Sequence, residues 1–314
     1  MVIRLLFTAA AAASAAKPNI VVILTDDLGW NTAYNNADII SPHINSLASD
    51  GVRLTSHYVY RYCSPTRAAL LTGRSPLALA NCRENFIPIT LPQGTDVGFT
   101  MLPARLAEAG YVSHQIGKWH QGFHTPDFLP VGRGFNTSYG FLAGGEDHFT
   151  QETTKCDWGK VTDYWDTHAP AADCSVPPPD RQPCPQWTVE EKRSSAAAAN
   201  GMCASATYTN CAWDGAANQC FQCKPKRYTG FDFAAKAVEL IAAHDAAAAP
   251  MFMYLALHNT HAPIEAPPEF ESLYSFPLKK QNVFDGMVSV VDSTVRGGIS
   301  RLSLVISRFS TYSH

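Results

Sequence analysis

Hydrophobic and polar positions along the chain fall into an alternation of strand and helix. Asn19-Ile20-Val21-Val22-Ile23-Leu24 is a continuous β-branched run, the mark of a strand buried on both faces, and it leads at once to Asp26-Asp27. Ser41-Pro42 opens a short helix carrying Ile44, Leu47 and Ala48, which Gly51 closes. Residues 52–58 predict a second strand that leads back towards Cys63. A helix around Leu102, Leu106 and Ala109 is stopped by Gly110, and a strand from Tyr111 to about Ile116 follows. Further on, Phe231 to Asp245 places Ala234, Val238, Ile241 and Ala242 on one helical face, ahead of the apolar strand Met251 to Leu257. Met287 to Asp292 is again helix-like, and there is no internal repeat. This order predicts an α/β domain with a largely parallel central sheet and helices on both faces.

The alternation fails at both ends and once in the middle. Met1 to about Ala16 has the form of a secretory signal peptide, with Arg4 as its positive start, Leu5-Leu6-Phe7 and alanines as its apolar stretch, and Ala13-Ser14-Ala15 as a cleavage site. The alternative is a short membrane anchor, but the run is well below the ~20 residues that span a bilayer, and no later segment reaches that length. The mature domain is then 17–314. Within it, about Gln151 to Arg227 has no sustained period and holds seven of the nine cysteines. This predicts a disulfide-stapled surface insert, which could be a substrate-binding flap or an inert elaboration. Setting Cys63 aside leaves an even set, Cys82, Cys156, Cys174, Cys184, Cys203, Cys211, Cys220 and Cys223, suited to disulfides in an oxidising compartment. Cys220-Phe221-Gln222-Cys223 also has zinc-ligand spacing, although isolated spacing of this kind fits a disulfide as well. Asn136-Thr137-Ser138 is a sequon for N-glycosylation, which needs a surface position. The formal net charge of −3 gives no basic patch for nucleic acid, while leaving room for a local cationic pocket.

The chemistry gathers around Cys63-Ser64-Pro65-Thr66-Arg67. Ser64 is a plausible N-cap and Pro65 a good first helical residue, so Cys63 is expected just outside a helix N-terminus, where unpaired N–H groups favour an anion. The plainer alternative is a buried or disulfide-bonded cysteine that happens to precede a helix. The string runs on into Leu70-Leu71-Thr72-Gly73-Arg74, and three more segments accompany it: Thr25-Asp26-Asp27-Leu28-Gly29-Trp30, Gly117-Lys118-Trp119-His120-Gln121-Gly122, and Leu255-Ala256-Leu257-His258-Asn259-Thr260-His261-Ala262-Pro263. In this order the four resemble the motifs of the formylglycine-dependent sulfatases, arylsulfatase B and its relatives in particular. The resemblance covers Lys17 to about Val295, apart from the cysteine-rich insert.

That resemblance implies the alkaline-phosphatase-like sulfatase fold and hydrolysis of a sulfate ester on a sulfated small molecule or glycan. It implies that Cys63 is oxidised to formylglycine by a formylglycine-generating enzyme in the secretory pathway, with an extracellular or lysosomal destination. Asp26, Asp27 and the residue derived from Cys63 would be ligands of Ca²⁺, with Mg²⁺ the alternative, whereas spacing alone also allows the acid pair to be a solvated turn. Arg67 follows Cys63 by one helical turn and could hold the aldehyde hydrate, or make a surface salt bridge. Lys118 and His120 alternate about a core-pointing Trp119, or mark an exposed strand end. By correspondence Lys118 holds sulfate oxygens, His120 is the base of the second half-reaction, and His261 contacts sulfate or protonates the leaving oxygen. His258 is the internal rival of His261, and His57, His114, His124 and His148 match no motif.

The chain departs from the pattern in two places. Thr66 stands where many relatives have serine, which leaves the defining cysteine, proline and arginine intact. After Asp292, related sulfatases continue to a strand ending in Asp-Asn-Gly and later to a second lysine, but here Arg296-Gly297-Gly298-Ile299-Ser300 follows, with no Asp-Asn pair or lysine after Lys280. The chain as written is therefore expected to bind calcium weakly, to leave a carboxylate of the acid pair protonated, to expose an unpaired sheet edge, and to turn over sulfate esters poorly. A version extended through such a strand should be soluble and active. Two other classes stay open: a secreted, non-catalytic binder of sulfated glycans, and a phosphodiesterase, although those enzymes usually place serine or threonine at the nucleophile.

Overall fold

The β-branched run forms strand β1 (Ile20–Thr25), and the apolar run near the other end forms β10 (Met251–Leu257), its parallel neighbour in register Ile20↔Phe252 through Thr25↔Leu257. The computed structural model describes residues 17–79, 87, 92–155, 159–167, 169–170, 174–175, 222–223 and 228–310. The signal-like stretch lies outside them, as do most of the cysteines.

Six strands make the central sheet in the order β1-β10-β2-β3-β6-β7. β2 (Val112–Lys118) and β3 (Thr137–Phe141) continue the parallel set, while the two-residue strands β6 (Trp165–Asp166) and β7 (Ala169–Pro170) add an antiparallel edge. A hairpin of β4 (Glu152–Lys155) and β5 (Gly159–Thr162) precedes that edge, and β8 (Cys174–Ser175) pairs with β9 (Gln222–Cys223) in a separate ladder. The region expected to lack regular structure thus contributes strands to the sheet. Its short, cysteine- and proline-interrupted strands carry too few positions for a period to register.

β10 is buried along its whole length and divides the core between two faces. Met251, Met253, Leu255 and Leu257 meet Phe233, Ala237 and Ile241 of helix α4 (Thr229–Ala243) and Val291 and Val295 of helix α6 (Lys279–Ser310). Phe252, Tyr254 and Ala256 meet the opposite cluster, with Leu71 of helix α2 (Cys63–Thr72), Leu102 and Leu106 of helix α3 (Leu102–Glu108), Trp119 and Phe135. Helices cover both faces, as the alternation requires.

Helix α1 (Pro42–Asp50) forms where the sequence places it, yet Ser41 makes no capping bond; the carboxylate of Asp292 on α6 accepts the first-turn N–H groups of His43 and Ile44 at 2.9 and 2.8 Å. Between α5 (Pro268–Glu271) and the chain end, α6 is one helix of 32 residues that runs through Gly297-Gly298. The strand expected over 52–58 does not form. Those residues pair with no neighbouring strand, and Val52, Leu54 and Tyr58 are exposed. Val52, Leu54 and Tyr58 would share one face of a strand, but their propensity does not suffice without a neighbouring strand to pair with. β1 consequently remains an edge strand.

Two buried histidines should make the fold acid-sensitive. Burial, with His244 nearby, pulls His114 down to about 4, and burial pulls His148 to about 4 despite its contact with the His261 carbonyl. Unfolded, each takes up a proton near the usual histidine value of about 6.5; folded, each resists protonation until about pH 4. Stability should hold above about pH 6.5 and fall as pH drops towards 4, by about 1–3 kcal/mol for each histidine. Urea midpoints at pH 7 and 4.5 should show the drop, and His114→Gln should reduce it.

Candidate active site

Parallel strands deliver their C-terminal ends to one edge of the sheet, and the motif residues collect there. Asp26 and Asp27 follow β1, Lys118 ends β2, His120 lies two residues beyond it, and His258 to His261 follow β10. The glycine before Lys118 is required by close approach: Gly117 has φ +90°, and a Cβ there would lie 2.1 Å from the Ala256 carbonyl oxygen. Trp119 turns into the core with no exposed surface and donates its indole N–H to the Phe128 carbonyl at 2.8 Å. Asp27 and His120 occupy the left-handed region at φ 53° and 55°, a conformation that non-glycine residues adopt at a cost and that concentrates at functional sites.

Helix α2 begins two residues earlier than its sequence suggests. Cys63 is its first residue and Tyr62 its N-cap. The Ser64 hydroxyl does not cap the helix, because it accepts the Ile87 N–H at 2.7 Å, while the Ser64 carbonyl accepts from Gln121 Nε2 at 3.1 Å. Cys63 still stands in the first turn, half-buried and as a free thiol. Gly73 ends the helix in the left-handed conformation.

A cavity of about 360 Å³ opens beside it, lined by Asp27, Arg61, Tyr62, Cys63, Ile87, His120, Gly144, Gly145, Thr153 and His261. Four of the sequence-derived site residues, Asp27, Cys63, His120 and His261, therefore share one chamber. The other three, Asp26, Arg67 and Lys118, form a buried charge cluster that is not part of its lining. Lys118 Nζ lies 2.5 Å from Asp26 Oδ2, and Arg67 Nη2 lies 3.6 Å from Asp26 Oδ1. Arg67 Nη1 also donates to the Lys118 carbonyl at 3.0 Å and the Tyr254 hydroxyl at 3.2 Å, so it is no surface salt bridge. Burial pushes the Asp26 carboxyl up, but Arg67 and Lys118 outweigh it and hold Asp26 below its ordinary range. The expectation that a carboxylate of the acid pair takes a proton is thus corrected for Asp26: two buried cations take the compensating role.

The histidines divide by position. His120 is buried and donates its Nε2–H to the Ile87 carbonyl at 2.8 Å, since a carbonyl can only accept, which leaves Nδ1 as the basic nitrogen. Burial, then the charge of Lys118, pushes its pKa well below the ordinary histidine value, so it is a neutral imidazole. His261 donates Nδ1–H to the Ala262 carbonyl at 2.7 Å and turns Nε2 to within 4.0 Å of Asp27 Oδ2. His258 has no exposed surface, stacks on His148 at 4.3 Å, and is not part of the lining.

As a calcium site these residues fall short. Calcium takes 6–8 oxygens, and both Asp26 oxygens already face cations. Among the described residues, no group of three or more histidine, cysteine, aspartate or glutamate side chains is arranged to hold a metal.

Sequence reasoning had singled out neither Tyr254, which holds Arg67, nor Arg61, Tyr62, Gly144, Gly145 and Thr153 around the chamber. Tyr254 sits inside a wholly apolar run, and the glycine pair follows β3 outside the matched motifs. Gln121 lay within a motif without an assigned role.

Comparison with known proteins places the chain in a family. The sulfatase family profile matches residues 18–302. Arylsulfatase J of Mus musculus is 26% identical over 309 residues, 97% of this chain and 42% of the relative. N-acetylgalactosamine-6-sulfatase of Rattus norvegicus is 37% identical over 139 residues, 41% of this chain and 26% of the relative. Among solved structures, Ps i-CgsB superposes with a TM-score of 0.67 at 27% identity, covering 91% of this chain and 55% of that one. The PsFucS1 sulfatase from Pseudoalteromonas sp. shares the fold, with a TM-score of 0.56 at 22% identity, covering 91% of this chain and 52% of that one. The chain thus spans about half or less of the length of these relatives. With a profile match over most of its length and the motif residues gathered at one sheet edge, the chain belongs to the sulfatase family.

Proposed function

We propose that the protein hydrolyses sulfate esters, with Cys63 converted to formylglycine at the point of attack. The observation that carries this is the position of Cys63, in the first turn of α2 and in the lining of a chamber shared with His120 and His261. When formed, the hydrated aldehyde supplies an oxygen nucleophile towards sulfur and a second hydroxyl whose deprotonation releases sulfate. Cys63 fits that group, being a free thiol with room in front of it.

Each side chain then has a defined task. The first turn of α2 offers N–H groups to the anionic sulfate. Arg67 and Lys118 supply positive charge from behind the lining, in a buried setting where charge acts strongly. His261, in its doubly protonated form, gives its Nε2 proton to the departing alcohol oxygen as the sulfur–oxygen bond breaks. His120 Nδ1, on a ring kept neutral by burial, accepts the proton whose removal frees sulfate. Asp26, Asp27 and the residue derived from Cys63 would be the calcium ligands by the motif resemblance, but the arrangement here fits such an ion poorly.

The substrate class we propose is a sulfated small molecule or glycan, on the strength of relatives whose names specify aryl sulfates and N-acetylgalactosamine 6-sulfate. A formylglycine-generating enzyme would be the biosynthetic partner, and the secretory pathway the route, with an extracellular or lysosomal destination. Asn136 is exposed, as its sequon requires, and no described helix is long and apolar enough to cross a membrane. The engagement of Asp26 by two cations favours a second reading, a non-catalytic binder of sulfated glycans. Peptide mass spectrometry of Cys63 separates the two, because a binder has no use for an aldehyde.

A further inference from the structure

The segment after β5 reaches back to the chamber. Asp163 has no exposed surface, and its carboxylate accepts the backbone N–H groups of Leu142, at 3.1 and 3.2 Å to its two oxygens, and of Ala143, at 2.8 Å. It also accepts Trp165 Nε1–H at 2.7 Å, which ties it to the sheet edge at β6. Its own N–H is held by the Gln151 carbonyl at 3.0 Å. The strap is therefore fixed at both ends before it grips the loop that leaves β3.

That loop is in direct contact with His120. The Leu142 carbonyl accepts the His120 N–H at 3.1 Å, so one peptide residue is held by Asp163 through its N–H and holds His120 through its carbonyl. Two residues on, Gly144 packs flat against the imidazole. A Cβ at Gly144 would lie 2.6 Å from His120 Cε1 and 2.8 Å from Nε2, and the ring has little freedom to retreat because Nε2 is bonded to Ile87. His120 itself sits at φ 55°, a conformation that costs a residue with a side chain and that surrounding contacts help to hold.

We propose that Asp163 is a positioning residue for His120: by anchoring Leu142 and Ala143 it sets the loop 142–145 that fixes both the backbone and the ring of the base. The front of the cysteine-rich insert is then a working part of the site. The consequence for turnover rests on the proposed role of His120 as base; the placement of the ring does not.

The test is residue-resolved labelling of histidines in the 314-residue chain with diethyl pyrocarbonate, read by peptide mass spectrometry. His114, buried on β2 and bonded to Thr137 Oγ1 at 2.8 Å, is the internal control for general loosening. Asp163→Ala should raise the labelling rate of His120 about tenfold with His114 unchanged, since local opening proceeds independently of global unfolding. Asp163→Asn keeps one acceptor oxygen and should give an intermediate rate. Gly144→Ala leaves Asp163 in place but displaces the ring, and should raise His120 labelling too, so the test survives if Asp163→Ala does not fold. An unchanged His120 rate in Asp163→Asn and Gly144→Ala, or a parallel rise in His114, would overturn the proposal. Absence of formylglycine at Cys63 would sink the proposed reaction but leave this result intact.

Discussion

In a version of the protein extended to the length of its relatives, His120→Ala should release one equivalent of alcohol from an aryl sulfate and then stop, with no matching release of sulfate. The first half-reaction needs positive charge around sulfate and a proton for the leaving oxygen. On the proposed assignment, Arg67, Lys118 and His261 retain those tasks in the variant. The second needs a base, proposed here as His120, a ring kept neutral by burial whose Nε2–H is held by Ile87 and whose basic nitrogen is Nδ1. Loss of a positioned base typically costs about 10²–10⁴-fold in rate, so steady turnover should fall by that factor while the first equivalent persists. Rapid-quench measurement of both products gives the answer. If the burst disappears with the turnover, His120 acts in binding or in attack.

Calcium should bind the 314-residue chain with a dissociation constant above about 10⁻³ M, and aryl sulfate turnover by this chain should be slight. The ion would have to compete for Asp26 with Lys118 at 2.5 Å and Arg67 at 3.6 Å, both buried with it. Asp27 has a largely exposed side chain and would bring one carboxylate more. Most of the coordination shell would be water, and water binds calcium no better inside the chamber than outside. Isothermal titration with calcium chloride, alongside an aryl sulfate assay, tests both halves. Micromolar calcium affinity or robust calcium-dependent hydrolysis would show that the Asp26 cluster opens more readily than its geometry suggests.

Much of the fold was legible because its elements are driven by long, consistent patterns. The strands β1 and β10 are uninterrupted apolar runs, and α4 repeats its apolar positions over four turns, so each declares its own burial. Residues 52–58 misled because β-branched and aromatic residues raise strand propensity whether or not a neighbouring strand exists to pair with them. The cap of α1 was hidden for a different reason: its acceptor, Asp292, lies 249 and 248 residues from the N–H groups it holds. Ser64 misled at α2 because its hydroxyl is drawn to Ile87 by tertiary contact.

The site shows the same division. Cys63, His120 and His261, the residues proposed to carry the chemistry, stood out by motif. What holds them does not. Arg67 is held behind the lining, because Asp26, Tyr254 and the Lys118 carbonyl together claim its donors. Asp163 and Gly144 act through backbone contacts, which no residue spacing announces.

The account stands on the chemical state of Cys63. Co-expression with a formylglycine-generating enzyme, digestion, and mass spectrometry of the peptide containing Cys63 to Arg67 should find the aldehyde, also captured by a hydrazide probe. A Cys63 that remains an unmodified thiol throughout would contradict it.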